Sequence, residues 1–306
     1  IPMLMLVVGP TMSLAPIADH GSEDQKQRWL PAACRGEINF CFAITEATAG
    51  TNSIKINTLA RANGNRFSMS GSKTFITGAD VCDYALVVAR TTPHGEVKRK
   101  TDGFTLFIVD LNAKGVERHP IDINLPIPES QFTIFFDEVD LGLENVIGEV
   151  GRGFDILFDS LNPERILVAA LCCGIGRFAL EKAVAYASER EVFDVPIGSH
   201  QGVQHPLAAA KTQVEMASLM MRQAAWQYDQ GLPAGEASNM AKYAGAEAGI
   251  QAVDAALQAH GGNGFTEDYG IYELYPMVRL MRTAPVNREI ILSYIGEKVM
   301  GLPRSY

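Results

Sequence analysis

The feature that most limits how this chain can fold is a change of apolar period at Gly151. From about residue 37 to residue 150, short runs rich in β-branched and aromatic residues alternate with turn residues. The runs are 38–42, 66–69, 84–88, 104–109 and 132–136, and Asn63-Gly64-Asn65 and Gly71-Ser72 read as turns between strands. No helix of useful length fits there, so the segment reads as an all-β domain. After Gly151 the spacing becomes three and four. Phe154, Ile156, Leu157 and Leu161 continue into Ile166, Leu167, Ala170, Leu171, Ile175 and Phe178, the pattern of an amphipathic helix. Helices are expected at 153–190, about 202–231, 235–260 and 285–300.

Residues 1–36 read as helical, with Ser22 as a cap before Glu23, and with Trp29 and Leu30 buried. Pro31 is expected to limit that helix. Pro163 is expected to kink or restart the helix after Gly151, with Asn162 as the cap of the restarted segment. The division is therefore 1–36, a helical remnant; 37–150, a β-domain; and 151–306, a helical domain. From the apolar start at Ile1, without an initiator Met, the expectation is that something upstream has been cleaved or lost.

A net charge of −9 without basic runs does not suit nucleic acid. Lys98-Arg99-Lys100 reads as a solvated loop. The five cysteines form no C-x-x-C pair, so no metal site is expected and a reducing compartment is the default, the cytoplasm or a mitochondrial matrix. No apolar run reaches the roughly 18 residues of a membrane span.

Three stretches suggest chemistry. Gly174-Ile175-Gly176-Arg177-Phe178-Ala179 matches a dinucleotide fingerprint. The run before it is alanine- and leucine-rich and in helical phase, however, which favours close helix packing instead. Thr45 to Asn52 offers hydroxyls, a glycine and backbone N–H groups at a strand end, where a polar ligand could sit. Glu164 beside Arg165, taken alone, reads as a surface ion pair.

Taken in order, the motifs resemble the acyl-CoA dehydrogenase flavoenzyme family from about Gly21 to Met300. They are Gly21-Ser22-Glu23-Asp24-Gln25, Ala43-Ile44-Thr45-Glu46 with Gly50, Gly71-Ser72-Lys73-Thr74-Phe75-Ile76-Thr77, Ser188-Glu189-Arg190 with Phe193, His200-Gln201, and His260-Gly261-Gly262-Asn263-Gly264-Phe265. The resemblance implies an α+β multidomain fold, a barrel-like middle β-domain followed by a C-terminal four-helix bundle, with most of an N-terminal helical domain missing.

It also implies FAD lying between the β-domain and the C-terminal helices. Ile44 and Thr45 would meet the flavin ring, Gly50 and Thr51 the pyrophosphate, and Phe75 and Thr77 the ring and its N5 side. Arg190, Phe193, Gln201, Gln258, Gly261 and Gly262 would reach the FAD of a neighbouring subunit in a homotetramer. Phe75 stands where tryptophan is common, and Asn52 where aspartate is usual. The implied reaction is α,β-dehydrogenation of an acyl-CoA, with electrons passed to electron-transfer flavoprotein.

Many members carry their base before the last helix; there this chain has Thr283-Ala284-Pro285-Val286-Asn287, with Pro285 at the glutamate position. The isovaleryl- and long-chain-type members carry it on the helix, directly before an arginine, and the resemblance therefore implies Glu164 as the base and Arg165 as a substrate-side neighbour. Proline has no N–H, so either Ala284 or Val286 supplies the backbone donor to the thioester, or the site is weaker. The alternative is a catalytically silent partner subunit of the same fold that binds FAD or acyl-CoA.

Overall fold

The computed structural model describes residues 3–304, except the side chains of residues 158 and 159. It divides into two compact units, Ile1–Glu164 and Arg165–Tyr306.

The first unit opens with a helical run. α1 (Met3–Val7) leads through a π-helical turn into α2 (Ala15–His20), and α3 (Glu23–Cys34) follows. Ser22 and Gln25 form a reciprocal capping box, which satisfies two of the N–H groups that a helix start leaves unpaired. Pro31 does not end α3 as expected; the helix runs on to Cys34 and forgoes the one bond that proline cannot donate. The run Met3–His20 is, among the described residues, the one helix long and apolar enough to cross a membrane by length and composition. No single apolar stretch makes it so, since Gly9, Thr11 and Ser13 interrupt it. Its Met12 and Ile17 are buried in a core shared with the sheet, and Ser13 donates to the Cys41 carbonyl.

The strands are β1 (Phe40–Ala43), β2 (Leu59–Asn63), β3 (Arg66–Thr77), β4 (Tyr84–Arg90), β5 (Phe104–Asp110), β6 (Val116–Ile121), β7 (Gln131–Gly142) and β8 (Val146–Ile147). They form one mixed sheet in the order β6-β7-β3-β2-β4-β5-β8, with β1 parallel to β4. β4 and β5 are buried on both faces, so the two-residue period splits each of them between two cores. Ala85, Val87 and Ala89 enter one core with Phe67, Phe107 and Ile134. Leu86 and Val88 enter the other, with Trp29, Phe104, Ile156 and Leu157. The sheet therefore wraps one apolar core and carries helices on its outer face. Trp29 anchors those helices, 1% exposed and edge-on to Tyr84. Trp29→Ala is expected to cost about 3–5 kcal/mol in chemical denaturation.

Gly64 and Asn65 make the expected turn between β2 and β3. Gly71 does not make one. It lies inside β3 at φ +146°, beside a register shift against β7. A Cβ there would stand 2.7 Å from the Thr58 Cα, so glycine permits a close crossing of two chain segments.

α4 (Gly153–Glu189) passes Pro163 without a restart, so Asn162 lies within the helix rather than at the start of a new one. Its later part belongs to the second unit. There it packs against α5 (Gln201–Asp229) and α6 (Gly235–His260), and α6 in turn meets α7 (Leu274–Thr283) and α8 (Arg288–Tyr294); a short hairpin, β9 (Glu191–Val192) and β10 (Val195–Pro196), joins α4 to α5. Small residues set the helix spacing. A Cβ at Gly176 would lie 3.0 Å from Val214 and 3.3 Å from Ala252, and one at Gly245 only 2.8 Å from the Ala169 Cα. Gly174 and Gly176 thus sit mid-helix, and Gly176 serves close packing. Gly245→Val is expected to cost about 1–3 kcal/mol through overpacking, read as a fall in melting temperature. α7 is absent from the helices expected of the sequence. Its buried Met277, Val278 and Met281 follow helical spacing, but Pro276 in the first turn hides it from a pattern reading.

Candidate active site

In the first unit, the candidate cofactor residues come from two neighbouring strand ends. β1 ends at Ala43 and leads into Ile44 and Thr45. Thr74 of β3 donates its backbone N–H to the Thr45 carbonyl at 2.9 Å. Phe75 follows, 61% exposed and at φ +56°, a left-handed conformation that a bulky residue seldom adopts. A second register shift against β7, between Lys73 and Ile76, accompanies it. The shift lets Lys73 and Ile76 both point inward while the Phe75 ring is held out to solvent. Thr77 exchanges hydrogen bonds with Gln131 at 3.0–3.1 Å.

Gly50 and Thr51 lie on the exposed loop after β1, and a Cβ at Gly50 would meet nothing. The base of that loop holds two residues that the motifs alone do not single out. Glu46, 6% exposed, accepts the backbone N–H groups of Asn57 at 2.6 Å and Thr58 at 2.9 Å. Lys73, fully buried, donates to Glu46 at 2.8 Å and to the Ile44 carbonyl at 2.9 Å. Burial pushes Lys73 down to about 8, with the Glu46 charge and hydrogen bond acting the other way. Burial pushes Glu46 up, but Lys73, Thr58 and Asn57 together hold it below its ordinary value. The signal in the sequence is the phase of Lys73. It falls in step with the inward Phe67 and Met69 of β3, a charged residue where the two-residue period asks for an apolar one.

Glu164 and Arg165 are the largest departure from a reading of residues alone. On α4 they are 3% and 8% exposed, buried rather than a surface pair.

In the second unit, Arg190, Phe193 and Gln201 all lie along the short connection from the end of α4 to the start of α5. Phe193 and Asp194 both have positive φ, which makes the tight two-residue turn of the β9–β10 hairpin and leaves Phe193 85% exposed. The Arg190 carbonyl accepts from the Ile197 N–H at 2.8 Å, and Gln201 opens α5. Gln258, Gly261 and Gly262 are exposed at the end of α6. Tyr186, one turn before Arg190, stacks on the buried His260 at 4.5 Å and accepts from Asn263 at 3.0 Å, which fixes that glycine turn.

The 284–287 turn is also held. Ala284 donates its N–H to Leu280 at 2.9 Å, Lys242 donates to the Val286 carbonyl, and Asn287 caps α8 by accepting from Ile290 at 2.9 Å. The Ala284 N–H is thereby engaged and Pro285 has none, which leaves the Val286 N–H as the next backbone donor of the turn. Glu289 is exposed and paired with Arg288 at 3.1 Å.

The donor set suits FAD. An uncovered aromatic ring, an adjoining aliphatic strand end, and hydroxyls with backbone groups beside an open glycine loop fit a planar ring carrying a phosphate tail.

Models of the acyl-CoA dehydrogenase N-terminal, middle and C-terminal domains match residues 2–37, 41–139 and 151–300. Acyl-CoA dehydrogenase FadE12 of Mycobacterium tuberculosis is 45% identical over 306 residues, covering 99% of this chain and 78% of that protein. The caffeyl-CoA reductase-Etf complex subunit CarC of Acetobacterium woodii is 31% identical, covering 92% of this chain and 75% of its own. A glutaryl-CoA dehydrogenase from Mycobacterium smegmatis, solved in complex with FADH2, superposes with a TM-score of 0.90 at 25% identity, covering 99% of this chain and 76% of its own. The chain belongs to the acyl-CoA dehydrogenase family of flavin-linked oxidoreductases, whose cofactor is FAD.

Proposed function

We propose that this protein removes the α-proton and β-hydride of a saturated acyl-CoA, with Glu164 as the base, and passes the electrons to electron-transfer flavoprotein. The observation that carries the reading is Glu164 itself: a carboxylate 3% exposed on α4, in a chain that places Pro285 where other members carry their base. FAD, when bound, accepts the electron pair that leaves with the β-hydride.

The α C–H of a thioester is a very weak acid. Its carbonyl must be polarised by fixed donors as the enolate develops, which supplies several kcal/mol. In the 284–287 turn that donor is the Val286 N–H, because Ala284 is already bonded within its helix and Pro285 has none. Lys242 and the Asn287 cap hold the turn still, so the donor is oriented before substrate arrives. Glu164 then receives the α-proton, and Arg165, its neighbour on the helix, keeps a positive charge beside the substrate.

The cofactor surface is assigned to Ile44, Thr45, Gly50, Thr51, Phe75 and Thr77. Arg190, Phe193, Gln201, Gln258, Gly261 and Gly262 are assigned to the FAD of a neighbouring subunit in a homotetramer; the support is that all six face solvent within their own unit. A sedimentation mass near four times 33.2 kDa is the expected result, and a monomer contradicts it. Segments 1–36, 37–150 and 151–306 are assigned as the N-terminal, middle and C-terminal domains. The relative named as part of an Etf complex supports the electron acceptor.

Pro285 is also what favours a silent partner subunit. Product analysis separates the two readings. With FAD and electron-transfer flavoprotein present, acyl-CoA should lose two hydrogens by mass; omission of the flavoprotein should stop turnover after one equivalent. An acyl-CoA recovered unchanged supports the silent subunit.

A further inference from the structure

The Glu46/Lys73 pair joins three segments that the cofactor assignment uses separately. Lys73 holds the end of β1 through the Ile44 carbonyl. Glu46 closes the loop carrying Gly50 and Thr51 by accepting from Asn57 and Thr58 at its far end. Lys73 also stands two residues before Phe75, on the inward side of the register shift that turns Phe75 out. A buried ion pair of this kind is poor at stabilising a fold, since desolvation cancels most of its attraction. It is well suited to fixing one register.

We propose that Glu46 and Lys73 are a positioning pair for FAD, whose ionised form sets the end of β1, the 46–57 loop and the outward turn of Phe75 as one surface. The inference rests on the assignment of FAD to that surface.

The charged groups around the pair are Glu46, Lys73 and Arg90, whose guanidinium feels the Glu46 charge. With Lys73 lowered to about 8, the ammonium is lost at mildly alkaline pH, and the Ile44 carbonyl and Glu46 lose a charged donor together. The sign for stability runs the other way. Folding lowers the Lys73 value from 10.5, so the unfolded chain binds the proton more tightly between about 8 and 10.5. Over that window this group's contribution to stability rises with pH, while FAD affinity falls. A pair that served the fold alone would have affinity follow stability.

The experiment measures FAD affinity by flavin fluorescence quenching, and melting temperature, from about pH 7 to about pH 10. Wild type, Lys73→Met, Glu46→Gln and the double variant are compared. Wild-type affinity is expected to fall about tenfold across pH 8 while the melting temperature does not follow it. Lys73→Met is expected to bind FAD at least about tenfold more weakly at pH 7 and to lose the step. The double variant, with no buried charge left unpaired, should regain melting temperature but not affinity. Affinity that is independent of pH in wild type, or that returns with melting temperature in the double variant, overturns the proposal. The wild-type profile alone decides the matter if a variant does not fold. A wild-type protein that takes up no FAD at all overturns the cofactor assignment, and the proposal with it, and is distinguished by the absence of quenching at any pH.

Discussion

Glu164→Gln is expected to keep its FAD, bind acyl-CoA, and lose flavin reduction by at least about a hundredfold, the scale of a positioned general base. The substitution preserves shape and a hydrogen-bonding amide but removes the proton acceptor. Melting temperature should change little, because an amide is easier to bury than a carboxylate. That combination separates a base from a packing residue: replacing an ordinary buried carboxylate would leave the reduction rate unchanged. Pro285→Glu added to Glu164→Gln is expected to recover part of the rate, by rebuilding the commoner placement of the base. Anaerobic stopped-flow reduction with the best substrate reads both. Reduction of Glu164→Gln at the wild-type rate would mean that the base lies elsewhere.

The second large effect is on stability. Arg90 is 1% exposed, and among the described residues no carboxylate accepts from it. Its guanidinium instead donates to four carbonyls: Ile56 at 3.2 Å, Asp102 at 3.1 Å, Lys100 at 3.2 Å, and Ile54. It also lies over the Phe104 ring at 4.2 Å. Burial lowers its value, and the nearby Glu46 charge opposes that shift. Arg90 thus ties two loops to the end of β4, one of them the segment that closes on Glu46. Arg90→Met keeps much of the apolar stem but leaves four carbonyls without their donor. The expected loss is about 3–5 kcal/mol in urea denaturation. A loss below about 1 kcal/mol would show that water replaces the guanidinium freely.

The change of period at Gly151 was legible because both halves bury large apolar faces, and burial imposes its own repeat on a strand or a helix. β4 and β5 were legible for the same reason. β6 was not: it lies at the sheet edge and its pattern is mostly exposed, so Glu117, Arg118, His119 and Pro120 give no apolar alternation to mark it. Pro31 and Pro163 misled because packing of a long helix outweighs one missing bond. Gly71 misled because a glycine needed for close approach looks in sequence like a glycine needed for a turn.

The site was legible in part. The ordered motifs located the strand ends and glycine turns, since those need particular residues at fixed spacing. The burial of Glu164 and Arg165 was not visible, because a charged pair at helical spacing has the same letters on a surface as in a core. Glu46 and Lys73 are 27 residues apart and meet only through the sheet, so neither predicts the other along the chain.

The central claim, that this chain oxidises an acyl-CoA thioester, is tested most directly by anaerobic addition of saturated acyl-CoAs to the FAD-loaded protein. The panel should span short, long, branched and ring-bearing acyl groups. Bleaching of the visible flavin band by at least one member, with an equal amount of 2-enoyl-CoA formed, is the predicted result. FAD-loaded protein that no acyl-CoA bleaches would contradict the claim.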